Sequence, residues 1–85
     1  MRYSIDYDKQ PQKFLEKTPK EIAKRILDKI EETLATTPVP HNAKSIVGEH
    51  GVFRIRIGDY RALYRINYQE QKIIVFLIEK RSRVY

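Results

Sequence analysis

The sequence predicts an α+β fold in which two helices pack on one face of a small β-sheet. Three observations predict it: residues 52–67 alternate like the strands of a hairpin, a segment after Thr18 has apolar residues at helical spacing, and residues 72–79 form an apolar run of strand length. With 85 residues, the chain is long enough for one modest core and too short for two. We therefore expect a single domain spanning residues 1–85.

The first element is expected to be a strand over residues 2–7, where two tyrosines and an isoleucine alternate with polar residues. Asp8 has the chemistry of a helix cap, so a short helix is predicted from there to about residue 17. Phe14 and Leu15 are the apolar residues that this helix would present to the sheet.

The second helix has a stronger signature at its start. Residues 18–21 form a predicted capping box, with Thr18 as the cap and Pro19 at the first helical position. Steps of three and four residues then build one apolar stripe, which we expect to face the sheet. The stripe consists of Ile22, Ala23, Ile26, Leu27, Ile30 and Leu34. Residues 36–51 are predicted to be a loop in which two glycines take special backbone positions.

The hairpin defines its own register. Gly58 and Asp59 have the chemistry of a two-residue type II′ turn, because glycine stands at the first central position. The cross-strand pairs that follow are Ile57–Tyr60, Arg56–Arg61, Ile55–Ala62, Arg54–Leu63, Phe53–Tyr64 and Val52–Arg65.

Alternation gives the two faces of the hairpin opposite chemistry. On one face, Phe53, Ile55 and Ile57 are expected to contact the helix that carries Ile26 and Ile30. The other face carries Arg54, Arg56, Arg61 and Arg65, of which the first three are expected to be exposed to solvent.

The arginines on that second face are unfavourable for folding. Like charges directly opposed across two strands destabilise a sheet, and Arg56 is predicted to lie opposite Arg61. Only Asp59 is expected to relieve this repulsion, although mixed charges would keep the face equally soluble. We therefore interpret the arginines as an anion-binding surface rather than as solubilising charge alone.

The apolar run at residues 72–79 does not alternate, which is typical of a strand buried on both faces and placed centrally in its sheet. The two helices can cover only one of those faces. A partner protein is therefore a candidate to cover the other.

The composition favours an acidic partner. The chain has 17 Lys and Arg against 11 Asp and Glu, a formal net charge of +6, and a pI near 9.7. Nucleic acids and acidic proteins both suit this charge. The absence of cysteine excludes disulfides and thiolate chemistry. Because no apolar run approaches the ~20 residues of a membrane span and no signal peptide is evident, we expect a cytoplasmic protein without a membrane partner.

Motifs for several kinds of catalysis are missing. His41 and His50 are isolated, so neither a metal nor another cofactor is expected, and there is no nucleophile triad, paired carboxylate or glycine-rich phosphate loop. The remaining groups are arginines and tyrosines, which suit phosphate binding and base stacking. Because arginine keeps its proton, proton transfer would fall to Tyr85, the best candidate, or to substrate or water. The tyrosines interpreted as packing residues are Tyr3, Tyr7, Tyr60 and Tyr64.

The chain resembles the RelE/ParE superfamily of bacterial and archaeal toxins, over its whole length in element order and most specifically over its last ~35 residues. The resemblance rests on the stretch from Gly51 through the Gly-Asp-Tyr-Arg turn to Tyr64, on the apolar strand, and on the ending from Lys80 to Tyr85. It implies two N-terminal helices on a mainly antiparallel sheet. It further implies a toxin that enters the ribosome, cleaves mRNA and inhibits translation, and that an acidic, RelB-like cognate antitoxin neutralises.

The resemblance also implies roles for single residues. Arg61 and Arg81 match arginines that stabilise the transition-state phosphate, and Tyr85 matches a tyrosine assigned as general base for the 2′-hydroxyl. Arg54 and Arg56 stand where the best-studied branch has lysines; they can clamp phosphate but protonate the leaving 5′-oxygen less readily. The residues expected to contact RNA are Arg54, Arg56, Arg65, Lys80 and Arg83.

Two other functions stay open at this point. One is a ParE-like toxin that inhibits gyrase, a branch that does not rely on this set of arginines. The other is an RNA-binding module without catalysis. Cleavage of translated message would separate the nuclease from both, and gyrase-dependent DNA breakage would separate the last two.

Overall fold

The computed structural model describes residues 2–81, and these form a five-stranded sheet with two helices. The elements in chain order are β1 (Ser4–Tyr7), α1 (Lys9–Glu16), α2 (Lys20–Leu34), β2 (Lys44–Ser45), β3 (Val52–Ile57), β4 (Tyr60–Asn67) and β5 (Lys72–Lys80). The strand order is β1-β5-β4-β3-β2, and every neighbouring pair is antiparallel except β1 with β5. The predicted α+β fold with a mainly antiparallel sheet is confirmed.

The edge of the sheet beside β5 is completed partly by a side chain. β1 begins at Ser4, later than expected, and pairs with β5 only as far as Val75. Farther along, the Gln10 side-chain amide donates to the carbonyl oxygen of Ile78 at 3.0 Å and accepts from the Ile78 N–H at 2.9 Å. Helix α1 therefore satisfies backbone groups that a longer β1 would have paired.

The predicted capping box at the start of α2 is wrong. Pro19 is the N-cap rather than the first helical residue, and no side chain caps this end. Thr18 instead donates its hydroxyl to the carbonyl oxygen of Phe14 at 2.7 Å. The Phe14 carbonyl also accepts the Lys17 N–H at 3.2 Å, so the hydroxyl adds a second hydrogen bond to the last turn of α1. Asp8 occupies the N-cap of α1 as predicted, but without a side-chain cap bond.

The core lies between α2 and the sheet. Ile26, Ile30 and Leu34 of α2 are almost fully buried and pack with Ile55 and Ile57, as the apolar stripe predicted. The other buried members of this cluster are Ala62, Tyr64, Ile66, Ile73, Val75 and Ile78.

The hairpin has the predicted register at all six pairs, from Ile57 with Tyr60 to Val52 with Arg65. Gly58 has a φ of +58° while Asp59 does not have a positive φ, which is the pattern of a type II′ turn. The two loop glycines, Gly48 and Gly51, also have positive φ.

The position of β5 differs from the prediction in two ways. β5 is an interior strand, but β4 is the middle strand of the sheet. Its second face is only half-buried, at Ile74, Phe76 and Leu77, because both helices pack on the opposite face. A β-bulge interrupts its pairing with β4, so that Phe76 has no partner in the register.

The loop before β3 contains a short strand that was not predicted. β2 pairs antiparallel with β3 and places Lys44 opposite Arg54.

Among residues 2–81, no helix combines the length and the apolar character needed to cross a membrane.

Candidate functional site

An open cavity of about 560 Å³ lies on the arginine side of the hairpin. Five cationic side chains line it together with Asn42 and Gly58. The cations are Lys44, Arg54, Arg56, Arg61 and Arg81. A cleft with so many charges of one sign concentrates field lines and attracts anions.

Strand register brings most of these cations together. Arg54 and Arg56 are two residues apart on β3 and therefore project from the same face. Arg61 lies opposite Arg56 on β4, and Lys44 lies opposite Arg54 on β2. Residues from three neighbouring strands thus reach one site.

Arg81 reaches the site through a backbone contact. It follows β5, and its N–H donates to the carbonyl oxygen of Asp59 at 2.7 Å. This bond holds the chain beside the hairpin turn. Arg61 and Arg81, the two residues that the resemblance matches to phosphate-stabilising arginines, both line the cavity.

The sequence predicted that Arg61 is exposed to solvent, but the side chain is only partly exposed because Glu79 binds it. Arg61 Nε donates to Glu79 Oε2 at 2.7 Å, and their side chains are 30% and 41% exposed. Glu79 therefore relieves the repulsion that only Asp59 was expected to relieve. Arg56 is exposed as predicted and donates from Nε to the Gly58 carbonyl oxygen at 3.2 Å, whereas Arg54 is half-buried.

Two predicted RNA contacts lie away from the cavity. Arg65 stands with its guanidinium carbon 4.9 Å from the centre of the Phe76 ring. Lys80 lies opposite Tyr60 on the helix side of the sheet, where it shares a second cavity with Ile22. Two further predicted residues, Arg83 and Tyr85, lie outside the described residues.

The four tyrosines interpreted as packing residues all belong to the core or pack against it. Tyr64 is fully buried, donates its hydroxyl to the Pro38 carbonyl oxygen at 2.7 Å, and has a pKa raised above its ordinary value chiefly by burial. Tyr7 donates to Glu31 at 3.2 Å, and burial, then the Glu31 charge, raises its pKa too. Both hydroxyls thus keep their protons and are poor general bases.

Three residues were not predicted from the sequence: Asn42 and Lys44, which line the cavity, and Glu79, which binds Arg61. Lys44 belongs to a strand of only two residues, which is too short to show alternation. Glu79 comes to lie opposite Arg61 because of the bulge in β5. Without that bulge, continuing the register from Asn67 and Lys72 would place Ile78 there instead.

The chemistry available at the cavity is phosphate binding and charge stabilisation. Arginine forks bind phosphate oxygens bidentately, but they hold their protons too tightly to act as acids or bases. No group of three or more His, Cys, Asp or Glu residues that could hold a metal ion occurs in residues 2–81. Within the same range, no tyrosine lines the cavity.

Comparisons with known proteins agree with this architecture. A family model for the ParE toxin of type II toxin–antitoxin systems matches residues 5–85. The chain is 31% identical over 88 residues to RelE1 of Methanocaldococcus jannaschii, a protein assigned as a toxin, and the match covers 100% of this chain and 97% of that one.

Two solved structures of toxin–antitoxin complexes contain chains with a similar fold. The archaeal RelE–RelB complex from Pyrococcus horikoshii is 29% identical to this chain, with a TM-score of 0.79 and coverage of 99% of this chain and 100% of that one. The RelBE2 toxin–antitoxin complex from Mycobacterium tuberculosis has a TM-score of 0.85, with coverage of 98% and 95%; at 24% identity, it shows the similarity of fold.

Proposed function

The chain belongs to the RelE/ParE superfamily of type II toxins, and from this premise we propose that it is an endoribonuclease that cleaves mRNA on the ribosome and so inhibits translation. The observation that carries the proposal is the convergence of five cations on one open cavity. Arginines at such a density suit a polyanion whose phosphates must be held and whose transition state gains negative charge.

The proposed reaction is an in-line attack of the ribose 2′-oxygen on the adjacent phosphorus. The bond from phosphorus to the 5′-oxygen breaks, which leaves a 2′,3′-cyclic phosphate and a 5′-hydroxyl. Arg61 and Arg81 stabilise the pentavalent phosphate, while Arg54 and Arg56 hold the flanking phosphates. Tyr85, in its deprotonated form, takes the 2′ proton by resemblance to the family, and water supplies the proton that the departing 5′-oxygen gains. No metal ion takes part in this proposal.

A gyrase-inhibiting toxin is the second candidate, because the matching family model is that of ParE toxins. Inhibition of gyrase does not require an arginine-lined cavity of this kind, so the geometry favours the nuclease. Both candidates predict growth arrest, and therefore toxicity alone does not separate them.

The experiment that separates the nuclease from the gyrase inhibitor tests the purified chain against two targets. Programmed ribosomes with a defined message are expected to give cuts in the translated region, mapped by primer extension, while the same message without ribosomes stays intact. Purified gyrase with supercoiled plasmid is expected to give no added DNA breakage. DNA breakage that depends on gyrase, together with intact message, would show that the chain is a gyrase-inhibiting toxin and not a nuclease.

We also propose that an acidic, RelB-like antitoxin binds the chain. The face of β4 and β5 opposite the helices has half-buried apolar side chains, Leu63, Ile74 and Leu77, and the basic cavity is close by. An acidic segment with apolar anchors would match both surfaces.

This partner predicts a specific rescue. Co-expression with an acidic, RelB-like antitoxin is expected to relieve growth arrest and to yield a complex that stays together at moderate salt. Ile74→Lys is expected to weaken the complex, because it places a charge in the apolar contact. Separation of the two proteins during purification at moderate salt would contradict the proposal that an acidic antitoxin binds the chain.

A further inference from the structure

Glu79 has a contact that the proposed reaction does not yet explain. It lies directly opposite Arg61 across β4 and β5, and its Oε2 accepts the Arg61 Nε hydrogen at 2.7 Å. Within residues 2–81, Glu79 is the carboxylate that pairs with an arginine of the cavity, although Glu79 itself does not line that cavity.

We propose that Glu79 is a positioning residue that acts through Arg61. This role rests on the proposed nuclease function. It holds the guanidinium by Nε and leaves the two terminal amino groups available to a substrate phosphate. A guanidinium has one edge formed with Nε and another formed by its terminal nitrogens, so it can bind a carboxylate and a phosphate at the same time.

The need for such a residue follows from the register. Arg61 stands beside Arg56, and two guanidinium groups repel each other and favour conformations in which they separate. A long, partly exposed side chain also loses conformational freedom when it binds a phosphate. Glu79 offsets the repulsion and restrains the side chain before substrate arrives, which lowers the barrier through preorganisation.

Two other roles would use the same contact. Glu79 could take the 2′ proton, or it could compete with the substrate phosphate and inhibit Arg61. The position of Glu79 outside the lining of the cavity and its bond to Nε favour positioning over both. A glutamine separates the three roles, because its amide oxygen still accepts from Nε but cannot accept a proton as a base.

The test compares Glu79→Ala, Glu79→Gln and the parent in single-turnover cleavage on programmed ribosomes at saturating toxin. Glu79→Ala is expected to slow cleavage about tenfold and Glu79→Gln no more than about threefold, since misplacement of one group costs rate while its conservative replacement restores it. Adding Glu79→Ala to Arg61→Ala is expected to cause no further loss.

Asp6→Asn is the matched control. Asp6 is an exposed carboxylate on the same sheet, but its partner is Lys72, at 3.5 Å, rather than an arginine of the cavity. Its loss changes the net charge by as much as the loss of Glu79. Because Asp6 does not bind an arginine of the cavity, its loss should nevertheless leave the cleavage rate at the parent value. A comparable slowing in Asp6→Asn would show that charge alone causes the effect and would overturn the proposal.

The remaining outcomes are equally decisive. If Glu79→Gln is as slow as Glu79→Ala, the proposal is wrong, and loss of the acidic limb of the pH–rate profile in Glu79→Gln would show that Glu79 instead takes the 2′ proton. The proposal is also wrong if Glu79→Ala cleaves as fast as the parent or faster, or if the double variant is slower than Arg61→Ala.

An NMR measurement tests the positioning role of Glu79 independently of the proposed nuclease function. The Arg61 Nε–H signal in NMR spectra is expected to exchange slowly with water in the parent and in Glu79→Gln, and quickly in Glu79→Ala. If the parent cleaves no message, the nuclease function fails. Positioning is then tested by affinity for a short RNA carrying a 2′-O-methyl block, which Glu79→Ala should weaken and Glu79→Gln should retain; equal affinities would overturn it.

Discussion

Ile55→Asp is expected to unfold the domain. Ile55 is 2% exposed and lies in the core cluster between α2 and the sheet, so an aspartate there would be a buried charge without a partner. Such a change costs several kcal/mol, a large part of the roughly 5–15 kcal/mol that stabilises a typical domain. Circular dichroism during heating and urea titration would detect the loss of the cooperative transition.

Arg56→Ala is the matched control for this variant. Arg56 is the next residue on the same strand but is exposed on the opposite face, where it faces Arg61. Its loss removes a like-charge pair and is expected to change the free energy of unfolding by no more than about 0.5 kcal/mol. An equal destabilisation by the two variants would contradict the assignment of the faces.

Arg61→Ala is expected to have the largest effect on catalysis. If Arg61 stabilises the pentavalent phosphate, its loss should slow single-turnover cleavage by about 10²–10³, which corresponds to roughly 3–4 kcal/mol of barrier. The effect should appear in the rate at saturating toxin and only weakly in ribosome affinity, because the interaction is strongest in the transition state.

Arg65→Ala provides the comparison, since Arg65 is an arginine of the same strand that lies over Phe76 instead of lining the cavity. Its loss is expected to affect affinity at most. Tyr85→Phe, which keeps the ring and removes the hydroxyl, should be measured in the same assay. If Arg61→Ala and Tyr85→Phe both cleave at the parent rate, the active-site assignment is wrong, and the arginines then serve to dock ribosomal RNA.

The sequence by itself determined the hairpin, its register and the chemistry of its two faces. These features depend on residues close together in the chain: a glycine at the first position of a two-residue turn and strict alternation on either side of it. The apolar stripe of α2 is equally local, because helical spacing determines which side chains share a face. Arg54, Arg56 and Arg61 could therefore be placed together before the fold was known.

Only the tertiary structure decided what surrounds these arginines. The bulge in β5 turns Glu79 toward Arg61, and Lys44 enters the site through a strand of two residues that exists only by pairing with β3. Lys80 was expected to contact RNA, but the bulged register with β4 places it on the helix side of the sheet. Arg65 has its predicted register, yet it lies over Phe76 rather than in the cavity. The physical reason is that strand pairing between distant segments depends on packing and hydrogen bonds across the whole sheet, and a shift of one residue reverses which face a side chain occupies.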